Sequence, residues 1–323
     1  MSATRLRLVS KEIQSNPCKS LPPSTPQAIT IADLYAGIGG FHLAFHQVGI
    51  SCRFAVEKDK HARATYQQNF RKLSPELFEK NYFFHDVDEL AKDPERIPDF
   101  SILCAGFPCQ SFSIAGKRKG LHDPINGKHF FSLLKILKAK KPEAFLFENV
   151  RGLLSANKGE AFRLMERRVR DLGYSFHWQI LRACDQGLPQ LRPRLFMVGF
   201  RDRSTPFRFP EPIPLQKTMS DVFGAPCHRD IGKTVLSSGR NRRIGQSRNW
   251  DCFLVNGKER WLTTREVKQM QGFPDWFDFP VSQPQAMKQL GNAVAVPVVK
   301  AIAVELIHSL SAQRQQTASA KAA

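Results

Sequence analysis

The chain reads as an α/β protein, with a mostly parallel sheet carrying helices on both faces and a smaller irregular lobe beside it. Three observations lead there. From Ile29 to about Phe200, short apolar runs alternate with single helical patterns, which is how parallel strands joined by crossover helices are written. From about Arg201 to Arg260 that alternation stops, and prolines and arginines accumulate. Beyond it, "AVPVVKAIAVELIHSL" is one apolar helix that closes the fold.

Each element has its own warrant. "ITIADLY" is strand-like, "GGFHLAFHQVG" helical and "CRFAVE" strand-like. Lys60 to Phe70 reads as a helix, "SILCAG" as a strand and "FFSLLKILKAKK" as a helix. "AFLFENV" is a strand, "EAFRLMERRVRDLG" a helix, and "SFHWQILRA" and "RLFMVGF" are strands. "STPFRFPEPIPLQ" and "SSGRNRRIGQSRN" have no clear periodicity and form the second lobe. "LTTREVKQMQGF" restores regular structure, with Thr263 as a helix cap and Glu266 completing a capping box. The expected divisions are a flexible polar tail over 1–28, a main α/β domain over 29–201 and the second lobe over 202–263. A hinge over 264–291, a returning helix over 292–311 and a flexible tail over 312–323 complete the chain.

Composition narrows the partners. The net charge of +19 suggests a polyanion, most simply nucleic acid, although a basic surface also serves solubility alone. Seven cysteines without a CxxC pair argue against a disulfide framework and a zinc site, and for a reducing compartment. No apolar run is read as a membrane span, and the N-terminus lacks a secretory apolar core, so a cytoplasmic protein is expected.

The rim of the sheet concentrates the chemistry. "DLYAGIGGFHLAF" stands where the first strand hands over to the first helix. Gly37, Gly39 and Gly40 permit a tight turn and close approach to a ligand. Glu57 ends the second strand, where such folds place an acid against ribose hydroxyls. His42 occupies the third glycine position of the dinucleotide pattern, so a nucleoside cofactor without a bridging pyrophosphate fits better than a nicotinamide or flavin dinucleotide.

"AGFPCQSFS" follows the next long strand and places Cys109 on the same rim, its backbone fixed by Pro108. A thiol there is either a small buried hydrophobe, as Cys104 is expected to be, or a nucleophile. Glu148 ends the apolar strand "AFLFENV"; it caps the following turn or, in apolar surroundings that raise its pKa, shares or donates a proton. In "PQLRPRLFMVG", strand periodicity puts Gln190, Arg192 and Arg194 on one face, either as a reader of anions and base edges or as a solubilising edge row. Pro193 within that run suggests an edge or a break in the ladder.

The ordered set "DLYAGIGGFHLAF", "GFPCQSFS", "ENV", "QLRPR", "LTTREVKQMQGFP" and "QLGNAVAVPVV" resembles the DNA (cytosine-5) methyltransferases of the compact bacterial restriction-modification type. The resemblance runs from about Ile31 to Leu310. It implies a class I S-adenosylmethionine-dependent methyltransferase fold, Rossmann-like, whose irregular lobe recognises the target. It implies that Cys109 attacks C6 of a flipped-out cytosine, that Glu148 holds N3 and the exocyclic amine, that Arg194 supports both and that Arg192 orients the pocket.

For the cofactor S-adenosylmethionine, it implies that Tyr35, Ala36 and the three glycines line the methionine part, and that Glu57 with Lys58 meets the ribose. Asp86 with Val87 would meet the adenine, Pro108 would flank the site, and Asn292 and Val294 would close it. Asp33 is expected near the sulfonium.

Double-stranded DNA is the implied partner. Gln110, Ser113, Lys117, Arg118 and Lys119 from the loop after the thiol would contact it, as would Gln190 and, from the lobe, Thr234, Arg240, Arg242 and Arg243. The loop departs from the family pattern in having Asn126 before Gly127 where an arginine is usual. The resemblance leaves a transfer-RNA cytosine as the alternative substrate. It also implies a monomer and a cognate restriction endonuclease as a functional partner.

Overall fold

The computed structural model describes residues 28–108 and 128–322. Seven strands form one sheet: β1 (Thr30–Leu34), β2 (Ser51–Val56), β3 (Phe83–Phe84), β4 (Ile102–Ala105), β5 (Ala144–Val150), β6 (His177–Leu181) and β7 (Arg194–Phe200). Their order is β3-β2-β1-β4-β5-β7-β6; the pairs from β3 through β5 are parallel, and β7 is antiparallel to both its neighbours. The order reverses between β1 and β4, so the crevice at the carboxyl ends of those two strands is where this kind of sheet takes a ligand.

Side-chain alternation along the strands builds two cores. Ile31, Cys104, Leu146 and Val198 face α1 (Gly40–His46), α2 (Lys60–Phe70) and α10 (Val296–Ala322), whose Phe45, Tyr66, Phe70, Ile302 and Leu306 belong to the same cluster. Ala32, Leu103, Phe145, Phe147 and Met197 face the other way, onto α5 (Lys128–Lys140) and α6 (Glu160–Asp171) through Leu133, Ile136, Met165 and Val169. The period of two also puts Glu148 on the first side, one step beyond Leu146.

Caps set the helix ends. Asp59 accepts from the amides of His61 and Ala62, so α2 begins at Lys60. α8 (Thr264–Met270) opens on the expected capping box, with the Glu266 carboxylate accepting from the Thr263 amide at 2.7 Å.

Four expectations change. The second lobe is not wholly irregular: α7 (Met219–Phe223) and a hairpin of β8 (Cys252–Val255) and β9 (Lys258–Trp261) lie within it. Asn256 and Gly257 both have positive φ at the hairpin turn, as an Asn-Gly two-residue loop requires. The segment expected as a hinge contains α9 (Gln283–Asn292), begun by proline in its first turn. The tail expected over 312–323 continues α10 to Ala322, where Gln313 donates to Asp202 at 3.2 Å and Arg314 pairs with Glu143. Gln283–Ala320 is long and apolar enough to cross a membrane, contrary to the sequence reading, and 61 % of its apolar window is buried inside the protein as core. The lobe has no core of its own, because Trp250 and Phe253 join the cluster that contains Ile302.

Candidate active site

A cavity of about 810 Å³ opens at the carboxyl ends of β1, β2, β4 and β5. The turn after β1 forms its floor, with positive φ at Tyr35, Gly37 and Gly39. The Gly37 amide donates to Glu57 Oε2 at 2.7 Å, and Glu57 Oε1 accepts from the Asp59 amide at 2.7 Å. One carboxylate thereby fixes both the glycine turn and the start of α2, and each of its oxygens keeps a lone pair for a ligand hydroxyl. Burial pushes the Glu57 pKa up, and the amides that point at it oppose that rise.

The three glycines do different work. A methyl group at Gly37 would meet nothing within 4 Å. One at Gly40, which lines the cavity, would lie 2.6 Å from Val294 Cγ2, so the first helix and the closing turn touch there. One at Gly39 would lie 2.3 Å from the Phe70 ring, and Gly39 does not line the cavity. Gly39 is glycine because its φ of +86 and the packing of α1 on α2 both exclude a side chain there.

The expectation for Asp33 is corrected. It is fully buried, does not line the cavity and accepts from the His42 amide at 3.3 Å. Burial and the nearby Glu57 carboxylate push its pKa up against the pull of the His42 amide, and its place in the core keeps it out of contact with a ligand in the cavity.

Tyr35, Ala36, Lys58, Asp86, Val87, Pro108, Asn292 and Val294 all line the cavity. The Tyr35 hydroxyl lies 3.2 Å from His129 Nδ1 on α5, a partner that sequence reading misses because the two are remote along the chain. Asp86 caps α4 (Val87–Leu90) by accepting from the Asp88 amide at 2.8 Å, and pairs with Lys58 at 2.8 Å. Burial alone would raise the Asp86 pKa, but the Lys58 ammonium and the Asp88 amide outweigh it and hold the carboxylate ionised.

The other end of the cavity carries Glu148, Arg192 and Arg194. Glu148 Oε1 lies 3.0 Å from Arg194 Nε, with both side chains largely buried. Burial raises the Glu148 pKa against the opposing pull of Arg194 and Arg192, so the carboxyl can hold a proton or release one. Asn149, to which the sequence assigns no role, is buried and donates to the Phe107 carbonyl at 3.1 Å. It thereby ties the end of β5 to the turn that leads through Pro108. Cys109 is the next residue; it lies outside the described residues, as do Gln110, Ser113, Lys117, Arg118, Lys119 and Asn126.

"QLRPR" is not a strand face. β7 begins only at Arg194, and Arg192 has φ 28, a left-handed value that breaks the alternation. Gln190 is fully buried, so the expectation that it contacts DNA is corrected. Arg192 is also buried and donates to the carbonyls of Val235, Gly291 and Ala293; burial lowers its pKa to about 9. In the lobe, Thr234 is half-buried and Arg240 lies 3.9 Å from Asp251. Arg242 and Arg243 are exposed, the latter 3.6 Å from Glu259.

The residues fit a sulfonium nucleoside. The cavity volume falls within the roughly 300–1,000 Å³ of small-molecule sites. At the end that receives the glycine turn stand Glu57, Asp86 and Asp88, the two aspartates paired with Lys58 and Lys128, and carboxylate lone pairs there suit hydroxyls and an amine. A reversed parallel sheet with an antiparallel β7, a glycine turn and an acid at the end of β2 define an S-adenosylmethionine-dependent methyltransferase of the Rossmann-like class. The chain belongs to the C-5 cytosine-specific DNA methylases, whose family model matches residues 29–247 and 226–308.

Among its relatives, the type II methyltransferase M.NgoBI of Neisseria gonorrhoeae is 38 % identical over 83 % of this chain and 90 % of its own length. M.HaeII of Haemophilus aegyptius is 36 % identical over 86 % of this chain and 93 % of its own length. In fold, the chain is similar to a DNMT2 of Spodoptera frugiperda, with TM-score 0.66 and 20 % identity over 88 % of this chain and 99 % of that one. A Dnmt2 methyltransferase of S. pombe gives TM-score 0.64, also at 20 % identity, over 86 % and 98 %.

Proposed function

We propose that this DNA cytosine-5 methyltransferase modifies one cytosine within a short specific duplex sequence through a covalent bond between Cys109 and C6 of the flipped-out base. The observation that carries the reading is the buried Glu148–Arg194 pair at 3.0 Å, facing the same cavity as Glu57 and Asp86. Ring carbon C5 of cytosine is a weak nucleophile. Addition of a thiolate at C6 moves electron density onto C5, provided that N3 can accept a hydrogen bond or a proton as the thiolate adds. Glu148 is suited to that task, because burial favours its protonated form while Arg194 orients it. S-adenosylmethionine, when bound, supplies an electrophilic methyl group, with Glu57, Asp86 and Asn292 as the residues that would hold its ribose and adenine end. Loss of the C5 proton and expulsion of the sulfur restore the aromatic ring.

The relatives are named as type II methyltransferases, and we extend the reading to a cytoplasmic, monomeric enzyme that protects DNA from a cognate endonuclease. An oligonucleotide duplex carrying 5-fluorocytosine at the target has no C5 proton to lose, and should leave the enzyme cross-linked at Cys109. The same incubation with a Cys109→Ser variant should yield none. Absence of a cross-link with a substrate that the wild type methylates would overturn the covalent route. Labelling of transfer RNA and not of duplex DNA would overturn the substrate.

A further inference from the structure

Three buried side chains, of which Arg192 lines the cavity, direct most of their hydrogen bonds to backbone. Gln190 Oε1 accepts from the Val235 amide at 2.8 Å, while its Nε2 donates to the Met270 carbonyl at 3.0 Å and to Gln271 Oε1 at 3.2 Å. Arg192 Nη1 donates to the Val235 carbonyl at 2.9 Å, and Nη2 reaches the carbonyls of Gly291, at 3.0 Å, and Ala293. Gln271 Nε2 donates to the Leu290 carbonyl. Both backbone groups of a single residue, Val235, are therefore held by side chains two positions apart. The same side chains grip the end of α8 and the end of α9.

The segment beyond Val235 is exposed. Leu236 is 39 % accessible, and the loop after it carries Arg240, Arg242 and Arg243. The chain leaves the buried cluster along the end of α9 so closely that a Cβ on Gly291 would lie 2.4 Å from the Leu236 carbonyl carbon. Gly291 and Arg192 line the reaction cavity. The exposed basic segment thus starts from one clamped point at the cavity's edge. Buried polar clusters paired at this many points favour one arrangement, since any slip strands several donors at once.

We propose that Gln190, Arg192 and Gln271 are positioning residues that set target-sequence fidelity. By pinning Val235 against the end of α9, they hold the exposed segment after it in register with the flipped base. This rests on the function proposed above, and none of the three needs to touch DNA. Arg192 suits the place because its rigid planar fork meets three carbonyls in fixed directions with less side-chain ordering than an ammonium on a flexible stem would need.

Two variants perturb the pin from opposite sides. Gln190→Met removes the clamp on the Val235 amide at similar volume. Gly291→Ala keeps the clamp and pushes the Leu236–Ser237 backbone outward. Each is compared with the wild type by bisulfite sequencing of a duplex pool containing the cognate site and every single-base-pair neighbour, with folding checked by circular dichroism. The expected result is a fall of about ten-fold in the ratio of cognate to near-cognate methylation, the equilibrium equivalent of one buried hydrogen bond. A general loss of stability would lower both rates together and leave that ratio in place. Should Gln190→Met not fold, Gly291→Ala decides. An unchanged ratio in a folded variant overturns the positioning role while the wild type still methylates DNA. A wild type that methylates no site in the pool overturns the functional reading, and this inference with it.

Discussion

Replacing Gly39 by alanine separates a glycine kept for packing from one kept for a ligand. Gly39 has φ +86, where an L side chain is strained by about 1–2 kcal/mol. The added Cβ would lie 2.3 Å from Phe70 Cε2 and 3.0 Å from Tyr66 Cε2. Phe70 has no room to withdraw, because its ring stacks on His42 at 4.1 Å between centroids and lies 4.6 Å from the Tyr66 ring. Overpacking of that kind adds about 1–3 kcal/mol. The sum, about 2–5 kcal/mol, is a large share of the roughly 5–15 kcal/mol that holds a typical domain together.

Gly37→Ala is the control. Its φ of +56 carries the same backbone strain, but its Cβ would meet nothing within 4 Å. Urea unfolding should show the Gly39 variant losing clearly more stability than the Gly37 variant, with the slope unchanged in both. Titration with S-adenosylhomocysteine below the unfolding transition should show the reverse order, with the Gly37 variant binding more weakly. A Gly39 variant of wild-type stability that had lost cofactor affinity would refute the assignment and return Gly39 to the ligand.

His42 is fully buried between Tyr66, whose hydroxyl lies 2.6 Å from Nδ1, and Ser74, whose hydroxyl lies 2.9 Å from Nε2; burial depresses its pKa to about 3. The unfolded chain takes up this proton near pH 6.5 and the folded one does not, so stability from this group is full above that pH and falls as pH drops towards 3, by about 1.4 kcal/mol per unit. Urea midpoints measured from pH 7 to 4.5 should fall more steeply for the wild type than for His42→Gln, and parallel slopes would show that the ring titrates normally. Asn149→Ala removes the bond to the Phe107 carbonyl, with a cost of about 1–3 kcal/mol for the stranded group. Single-turnover methyl transfer should slow by about ten-fold or more while S-adenosylhomocysteine affinity holds, and an unchanged rate would remove Asn149 from the positioning of the turn.

Local pattern suffices for the sheet and for one end of the cavity. Strands such as "AFLFENV" and "RLFMVGF" announce themselves because strands buried on both faces of a sheet need unbroken apolar runs, and Lys60–Phe70 is bounded by its own cap at Asp59. Glu57 and Glu148 are legible because an acid closing an apolar strand must stand at the rim. The Asn256-Gly257 turn is equally legible in principle, but it sits in a lobe whose prolines and arginines read as irregular. α9 is hidden because its proline-started run lies next to a loop and carries no basic or acidic cap signal.

What the chain order determined by itself is the set of chemical groups and the strand ends on which they sit. Only the tertiary structure decided which of them face the cavity. Gly39 and Gly40 are adjacent, yet one meets Phe70 and the other Val294. Asp33 and Tyr35 flank one strand end, yet burial leaves only the tyrosine in contact with the site. Gln190 and Arg192 are polar in a motif that reads like a contact surface, yet they serve the backbone of Val235. The reason is that packing partners remote in sequence determine the desolvation and pairing of each polar group, and no local period encodes them.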